Sequence, residues 1–270
     1  MTLDTAFHAA VEELRTPGMG TENVGPLLYS LVRMTRSWRL MEVGLGYTTP
    51  FLAMALKDMA AEFEGDRKLL STPGRDERKG VLSVDYYRRN HAAILHAIDD
   101  YSVEGSTAPK VMDTLKRLDL DALVEVHDGD YRGMSEKVGS RTQPLDLVWF
   151  DCGGLSDYVD FIEEFWPLIR TDGGMLLLHY TYWDIAKRYD GMEPSEMVPN
   201  PGANAIRRQQ ARAGAEATFE VLSLLEPHKT RQGSVTMIRR LPPSSRVRDV
   251  DIQKDIQTFG RDEIKPLPKL

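Results

Sequence analysis

The stretch Leu40-Met41-Glu42-Val43-Gly44-Leu45-Gly46-Tyr47-Thr48-Thr49-Pro50-Phe51-Leu52-Ala53 decides how the chain is read. Trp38 and Leu40 open a short apolar strand. Two glycines make a tight turn, and Phe51, Leu52, Met54, Ala55 and Leu56 mark the apolar positions of a following helix. A strand that turns on glycines into a helix N-terminus aims backbone N–H groups at a ligand, which makes a cradle for a nucleotide-like molecule. A dinucleotide fingerprint would place a third glycine where Thr49 stands. Glu42, two residues before the first glycine, would repel a pyrophosphate. It suits a ligand with an ammonium, a sulfonium and a ribose.

Working outward, the 270 residues suit one large α/β domain or one domain with decorations. Hydrophobic residues are 41% and charged residues 28%, the balance of a soluble globular chain. The net charge of −7 argues against general nucleic-acid binding, because no basic excess is available to neutralise phosphates. A single cysteine, Cys152, rules out an intrachain disulfide. No apolar run reaches membrane-spanning length, and Asp4, Glu12 and Glu13 stand where a signal peptide would carry basic residues. The expectation is a cytoplasmic protein with no membrane partner.

Before the glycine turn, Leu3, Phe7, Ala10, Val11 and Leu14 recur at helical spacing over residues 1–16, and Pro17-Gly18 ends that helix. A second helix is expected over 21–36, with Pro26 near its start. After the turn, residues 60–80 are dense in charge and turn formers and read as a mobile surface insertion. Gly80-Val81-Leu82-Ser83-Val84-Asp85 then reads as a second strand closed by an acid. Such an acid accepts hydrogen bonds from ribose hydroxyls, or else only caps the next helix. Tyr86 or Tyr87 would stack on an adenine. Residues 87–100 read as a helix, 111–118 as another, and Leu123 to His127 as the third strand, closed by Asp128-Gly129-Asp130-Tyr131.

The most apolar stretch, Leu145 to Phe150, reads as a central parallel strand buried on both faces, with Asp151 at its ligand-facing end. A helix over 158–169 follows. Met175 to Leu178 is the fifth strand, ending in His179-Tyr180-Thr181-Tyr182-Trp183. Two further strands, 219–225 and 234–238, are expected to close the sheet as an antiparallel hairpin. The division that results is N-terminal helices at 1–36, a ligand-binding domain at 37–240 and a charged, proline-punctuated tail at 241–270.

The order EVGLGYTTPFLA, VLSVD, HDGDY, DLVWFDCGG and FWPLIRTDGGMLLLHYT resembles the class I S-adenosylmethionine (SAM) dependent methyltransferases, in particular the small-molecule O-methyltransferases of the catechol and caffeoyl-CoA type. The resemblance spans roughly Gly25 to Thr181. It implies a Rossmann-like, seven-stranded, mostly parallel sheet with helices on both faces, and SAM as cofactor. It makes Glu42, Gly44, Gly46, Tyr47, Thr48, Asp85, Tyr86, Asp130, Tyr131 and Asp151 the candidate cofactor-binding residues. In metal-dependent members an acid after the fourth strand and an Asp-Asn pair after the fifth hold a divalent cation. Asp151 matches the acid, but His179-Tyr180 replace the pair, and magnesium prefers oxygen ligands.

The expected reaction is therefore metal-independent methyl transfer to an oxygen or nitrogen nucleophile of a small molecule. His179 would be the general base, with Asp151 beside it, unless His179 is structural. Tyr180, Tyr182 and Trp183 would wall the acceptor pocket. Two alternatives stand beside this: other SAM chemistry (aminocarboxypropyl transfer or cyclisation), and a non-catalytic SAM-binding module. A homodimer is the expected assembly.

Overall fold

The structure, a computed structural model, describes residues 3–142, 144–152, 155–181, 201–212, 219–226, 228, 229 and 232–241. Two N-terminal helices, α1 (Thr5–Glu12) and α2 (Val24–Thr35), precede strand β1 (Arg39–Val43) and helix α3 (Thr49–Ser71). A short helix α4 (Val84–Tyr87) leads to β2 (Ile94–Asp99), and then come α5 (Ala108–Arg117), β3 (Val124–Asp128), α6 (Ser135–Arg141) and β4 (Leu147–Phe150). The chain continues through α7 (Leu155–Phe165), β5 (Met175–His179), α8 (Pro201–Arg212), β6 (Phe219–Leu225) and β7 (Ser234–Arg240).

The seven strands form one sheet in the order β3-β2-β1-β4-β5-β7-β6. β1 to β5 are parallel, and β7 pairs antiparallel with both β5 and β6. The seven-stranded, mostly parallel α/β sheet expected from the sequence is thus the fold. Parallel strands between two helical layers must bury both faces, so β4 and β5 are apolar along nearly their whole length. In β1, Leu40 joins a core with Phe7, Leu28, Phe51 and Leu56 from the helices on one face. Met41 and Val43 join a second core with Phe161, Phe165 and Ile206 on the other. Among the described residues no helix is long and apolar enough to cross a membrane.

Two sequence expectations are corrected. The charged stretch from residue 60 does not leave the fold as an insertion. α3 runs on to Ser71, with Met59 and Phe63 still buried. Its charges lie on the solvent side and pair locally, as Arg67 does with Glu64, or tie α3 to α2, as Glu62 does with Arg36 at 2.9 Å. The second strand is not Gly80–Asp85. That segment forms a 3-10 turn (Glu77–Val81) and α4, with Val81 85% exposed. The strand is Ile-Leu-His-Ala-Ile-Asp at 94–99, inside the stretch read as a helix. Buried on both faces, it lacks the alternation that marks a strand, and its apolar residues fit helical spacing equally well.

At the amino-terminal end of the sheet Asp146 is nearly inaccessible. Its carboxylate accepts from the backbone N–H of Trp38 and Arg39 at 3.0 and 2.9 Å and from the Arg170 guanidinium at 2.9 Å. It joins the start of β1 to the segment before β4. Asp146→Ala is expected to destabilise the chain by about 3 kcal/mol, the lower end for a broken buried ion pair because the arginines keep partial solvent access. Urea unfolding followed by circular dichroism measures this.

Candidate active site

The strand order reverses between β1 and β4, and a crevice must open there above the carboxyl ends of the strands. It holds a cavity of about 600 Å³. The Gly44–Tyr47 turn forms its floor, and the residues after β2, β3 and β4 form its walls. The segment joining α1 to α2 contributes Leu14, Thr16, Met19 and Thr21, so the N-terminal helices border the cleft.

Gly44 adopts a φ of +97°, and a Cβ there would meet the Asp151 carbonyl oxygen at 2.9 Å, so only glycine fits without strain. The turn is clamped from outside. Leu45 N–H donates to Asp99 Oδ2 at 2.7 Å, the Thr107 hydroxyl donates to the Leu45 carbonyl at 2.8 Å, and Gly46 N–H donates to Thr49 Oγ1 at 3.0 Å. Thr48 is buried behind the turn at the N-cap of α3, with Pro50 in the first turn.

Glu42 is the unusual group. It is fully buried, and neither carboxylate oxygen has a hydrogen-bond partner among the described residues. Burial pushes its carboxyl up to about 8. The Asp151 and Asp99 carboxylates push in the same direction, and the Thr49 and Thr48 hydroxyls, near the carboxyl but outside hydrogen-bond geometry, oppose them. Across the sheet it stands in register with Trp149, whose indole N–H also lacks a partner. A buried carboxylate behind the cradle, with two more at the rim, fits a cation and not a pyrophosphate. Six carboxylates line the cavity (Asp99, Asp100, Glu104, Asp130, Asp151, Asp157) against one guanidinium, Arg132. Arg132 pairs with Asp130 at 2.9 Å and also with Asp157.

Of the residues singled out from the sequence, Gly44, Gly46, Tyr47, Asp130, Tyr131 and Asp151 line this cavity together. Asp85 and Tyr86 do not. Asp85 is exposed on α4 and pairs with Arg88. The Tyr86 hydroxyl accepts from the Trp38 indole at 2.8 Å, at the amino end of β1 and so at the opposite edge of the sheet. The acid that ends the second strand is Asp99, which sequence reading missed along with its strand. The Asp99-Asp100 pair closing an apolar run was the available signal.

His179, at the end of β5, is buried and outside the cavity lining. Its Nδ1 lies 2.7 Å from Asp151 Oδ1 and its Nε2 lies 3.2 Å from the Gln232 carbonyl, so both ring nitrogens are engaged. Tyr180 has a left-handed φ of +53°, its N–H donates to the Ser234 carbonyl at 2.7 Å, and it too lies outside the lining. Tyr182 and Trp183 lie outside the described residues. Cys152 lines the cavity, but burial pushes its thiol up to about 12, so it is no thiolate nucleophile.

A doubly wound sheet with a glycine cradle at its switch point defines an α/β nucleotide-cofactor-binding domain. The chain belongs to the methyltransferase-domain family, whose model matches residues 41–181, just over half of its length. Its fold is similar to that of the O-methyltransferase TomG from Streptomyces achromogenes, solved with SAM (20% identity, 88% of this chain and 90% of that one, TM-score 0.56). It is also similar to an O-methyltransferase from Bacillus cereus in complex with SAH (16%, 88% and 91%, 0.55). A third likeness is to the SAH-bound methyltransferase PaMTH1 from Podospora anserina (15%, 88% and 88%, 0.51). No curated protein matches the chain.

The raised Glu42 carboxyl has a consequence for stability. Between about 4.5 and about 8 the folded chain keeps a proton that the unfolded chain has lost, so stability falls as pH rises through that window. Urea midpoints of the wild type and Glu42→Gln, compared from pH 5 to 9, are expected to diverge with pH, the variant being the more stable at the alkaline end. A constant difference would show that Glu42 titrates normally.

Proposed function

We propose that the chain transfers the methyl group of SAM to an oxygen or nitrogen atom of a small molecule, without a catalytic metal ion. The observation that carries this is the buried, unpartnered Glu42 beneath a glycine turn whose cavity is lined by six carboxylates. The family membership and the fold shared with methyltransferases support it. Bound SAM would supply a methyl already activated on a sulfonium.

The chain's own residues bind and orient. Glu42, Asp99 and Asp151 balance the cationic end of the ligand. Gly44, Gly46 and Tyr47 let the backbone approach closely. Asp99 takes the ribose role that sequence reading gave to Asp85. Asp130 and Tyr131 border the adenine side, where a carboxylate can accept from an exocyclic amine. Asp151 faces the cavity and receives the acceptor's proton, and His179 holds it from behind as a positioning residue. The metal-free reading is supported by His179 occupying the position of an oxygen ligand with both nitrogens already engaged.

A homodimer and a cytoplasmic setting complete the reading. β6, at the sheet edge, leaves Val221 and Leu222 exposed, which supports the first, and a single cysteine supports the second.

Calorimetric titration with SAM, SAH and NAD, with and without magnesium, tests the reading. Binding of the two sulfur ligands alone is expected, with SAH as the product once an acceptor is supplied. Preference for NAD would overturn it. Asp99→Ala is expected to weaken SAM binding at least ~10-fold by removing charge-assisted hydrogen bonds, whereas Asp85→Ala leaves it unchanged. His179→Ala is expected to lower kcat more than SAM affinity. Unchanged turnover in that variant would remove His179 from any catalytic support.

A further inference from the structure

Two buried histidines have no part in the cleft. His96 lies on β2 and His127 on β3, and both are almost wholly inaccessible. The parallel register pairs His96 with Glu125 and Ile98 with His127, so His96, Glu125 and His127 share one face of the sheet. The end of α6 covers them. Thr142 Oγ1 lies 2.8 Å from His96 Nε2, and Arg141 pairs with Glu125 Oε1.

The remaining atoms converge. His96 Nδ1 is 3.0 Å from His127 Nε2 and 3.7 Å from Glu125 Oε2, and His127 Nε2 is 4.0 Å from Glu125 Oε1. A tetrahedral zinc ion with bonds of about 2.0–2.1 Å holds its ligand atoms about 3.3 Å apart. The two nitrogens stand slightly closer than that and the carboxylate oxygens slightly farther, with Oε2 nearest His96 and Oε1, which Arg141 also holds, nearest His127, so a small turn of the Glu125 carboxylate would close the set around an ion.

We propose that His96, Glu125 and His127 bind one divalent transition-metal cation of the zinc class, which ties the edge strand β3 to β2. Two imidazoles and one carboxylate suit zinc or cobalt and disfavour magnesium or calcium, which take oxygen ligands. The outer contacts fit this role. The Thr142 hydroxyl meets Nε2 on the outer side of the His96 ring and leaves Nδ1 facing the centre. Arg141 holds one Glu125 oxygen and leaves the other free. Glu125 is partly exposed, which gives the ion a route from solvent and leaves room for a water as fourth ligand. None of the three residues lines the acidic cleft, so the site is independent of the proposed methyl transfer.

The test uses the untagged full chain, stripped with EDTA and desalted. It is titrated with cobalt chloride, followed by visible absorption, and with zinc chloride in a calorimeter. One ion per chain, the intense visible bands of tetrahedral cobalt and a higher thermal midpoint with zinc are expected. His96→Gln and His127→Gln should abolish the cobalt bands. Arg141→Gln, which leaves all three ligands in place and keeps the test open if a histidine variant fails to fold, should weaken zinc binding by about 10-fold. Far-UV circular dichroism checks the fold of each variant. Absence of binding at ~100 µM metal, an affinity below any structural zinc site, would overturn the proposal and leave the histidines as a hydrogen-bonded pair. Equal binding by the wild type and by folded histidine variants would also overturn it.

Discussion

Parallel strands covered on both faces carry most of their polar chemistry at their ends, and this constraint organises the molecule. β1, β2, β4 and β5 are buried along nearly their whole length, so their acids fall at the carboxyl edge. Glu42 is the exception within a strand. It sits one residue inside the end of β1, fully buried and without a hydrogen-bond partner among the described residues, where its ionisation is opposed by burial first and by Asp151 and Asp99 after it. In the free protein such a group only costs stability. Its placement makes physical sense when a cation shares the cleft.

What was legible in the sequence follows from how local each signal is. The glycine turn could be read because strand, turn and helix start are contiguous and only glycine tolerates the φ of Gly44. β4 and β5 could be read because their apolar runs are short and bounded by polar or turn residues. β2 could not. Ile-Leu-His-Ala-Ile-Asp carries apolar residues on both faces, so it lacks clean alternation and its apolar residues fit helical spacing equally well. VLSVD competed for the same role with better strand formers and an acid in the right place, yet it runs from the end of a 3-10 turn into α4 with Val81 and Val84 exposed. The charged half of α3 looked like a loop because its buried face narrows to Met59 and Phe63 after residue 56.

The site divides along the same line. Residues adjacent to correctly read strands, such as Gly44, Asp130 and Asp151, fall in the cleft. Asp85 and Tyr86 inherited the error in β2 and stand at the wrong edge. His179 was placed at the correct strand end, but sequence cannot supply the direction of a ring. The nitrogens face Asp151 and the Gln232 carbonyl, a contact made across the fold by a residue 53 positions away. The His96–Glu125–His127 cluster was invisible for a related reason, since it depends on the register between two strands of which only one had been located.

Charge within the cleft is not evenly spread, and the asymmetry gives the ligand a direction. On the β3 side Arg132 bridges Asp130 and Asp157 and lies 4.7 Å over the Tyr131 ring, which offsets one of the two carboxylate charges and leaves that wall less acidic and partly aromatic. On the β1–β4 side Glu42, Asp99 and Asp151 meet with no guanidinium or ammonium among the residues lining the cavity to balance them. Asp99 accepts from the Leu45 N–H on one oxygen and from the Ser106 hydroxyl on the other, and Asp151 spends one oxygen on His179, so both are held in place at the rim. A flat, uncharged ring belongs against the first wall and a positive group against the second. A ligand with an adenine at one end and a sulfonium and ammonium at the other satisfies both walls in one orientation. Reversed, it would place its cations near Arg132 and leave Asp99 and Asp151 uncompensated. The asymmetry of charge in the cleft thus favours one orientation of such a ligand before any single hydrogen bond is made.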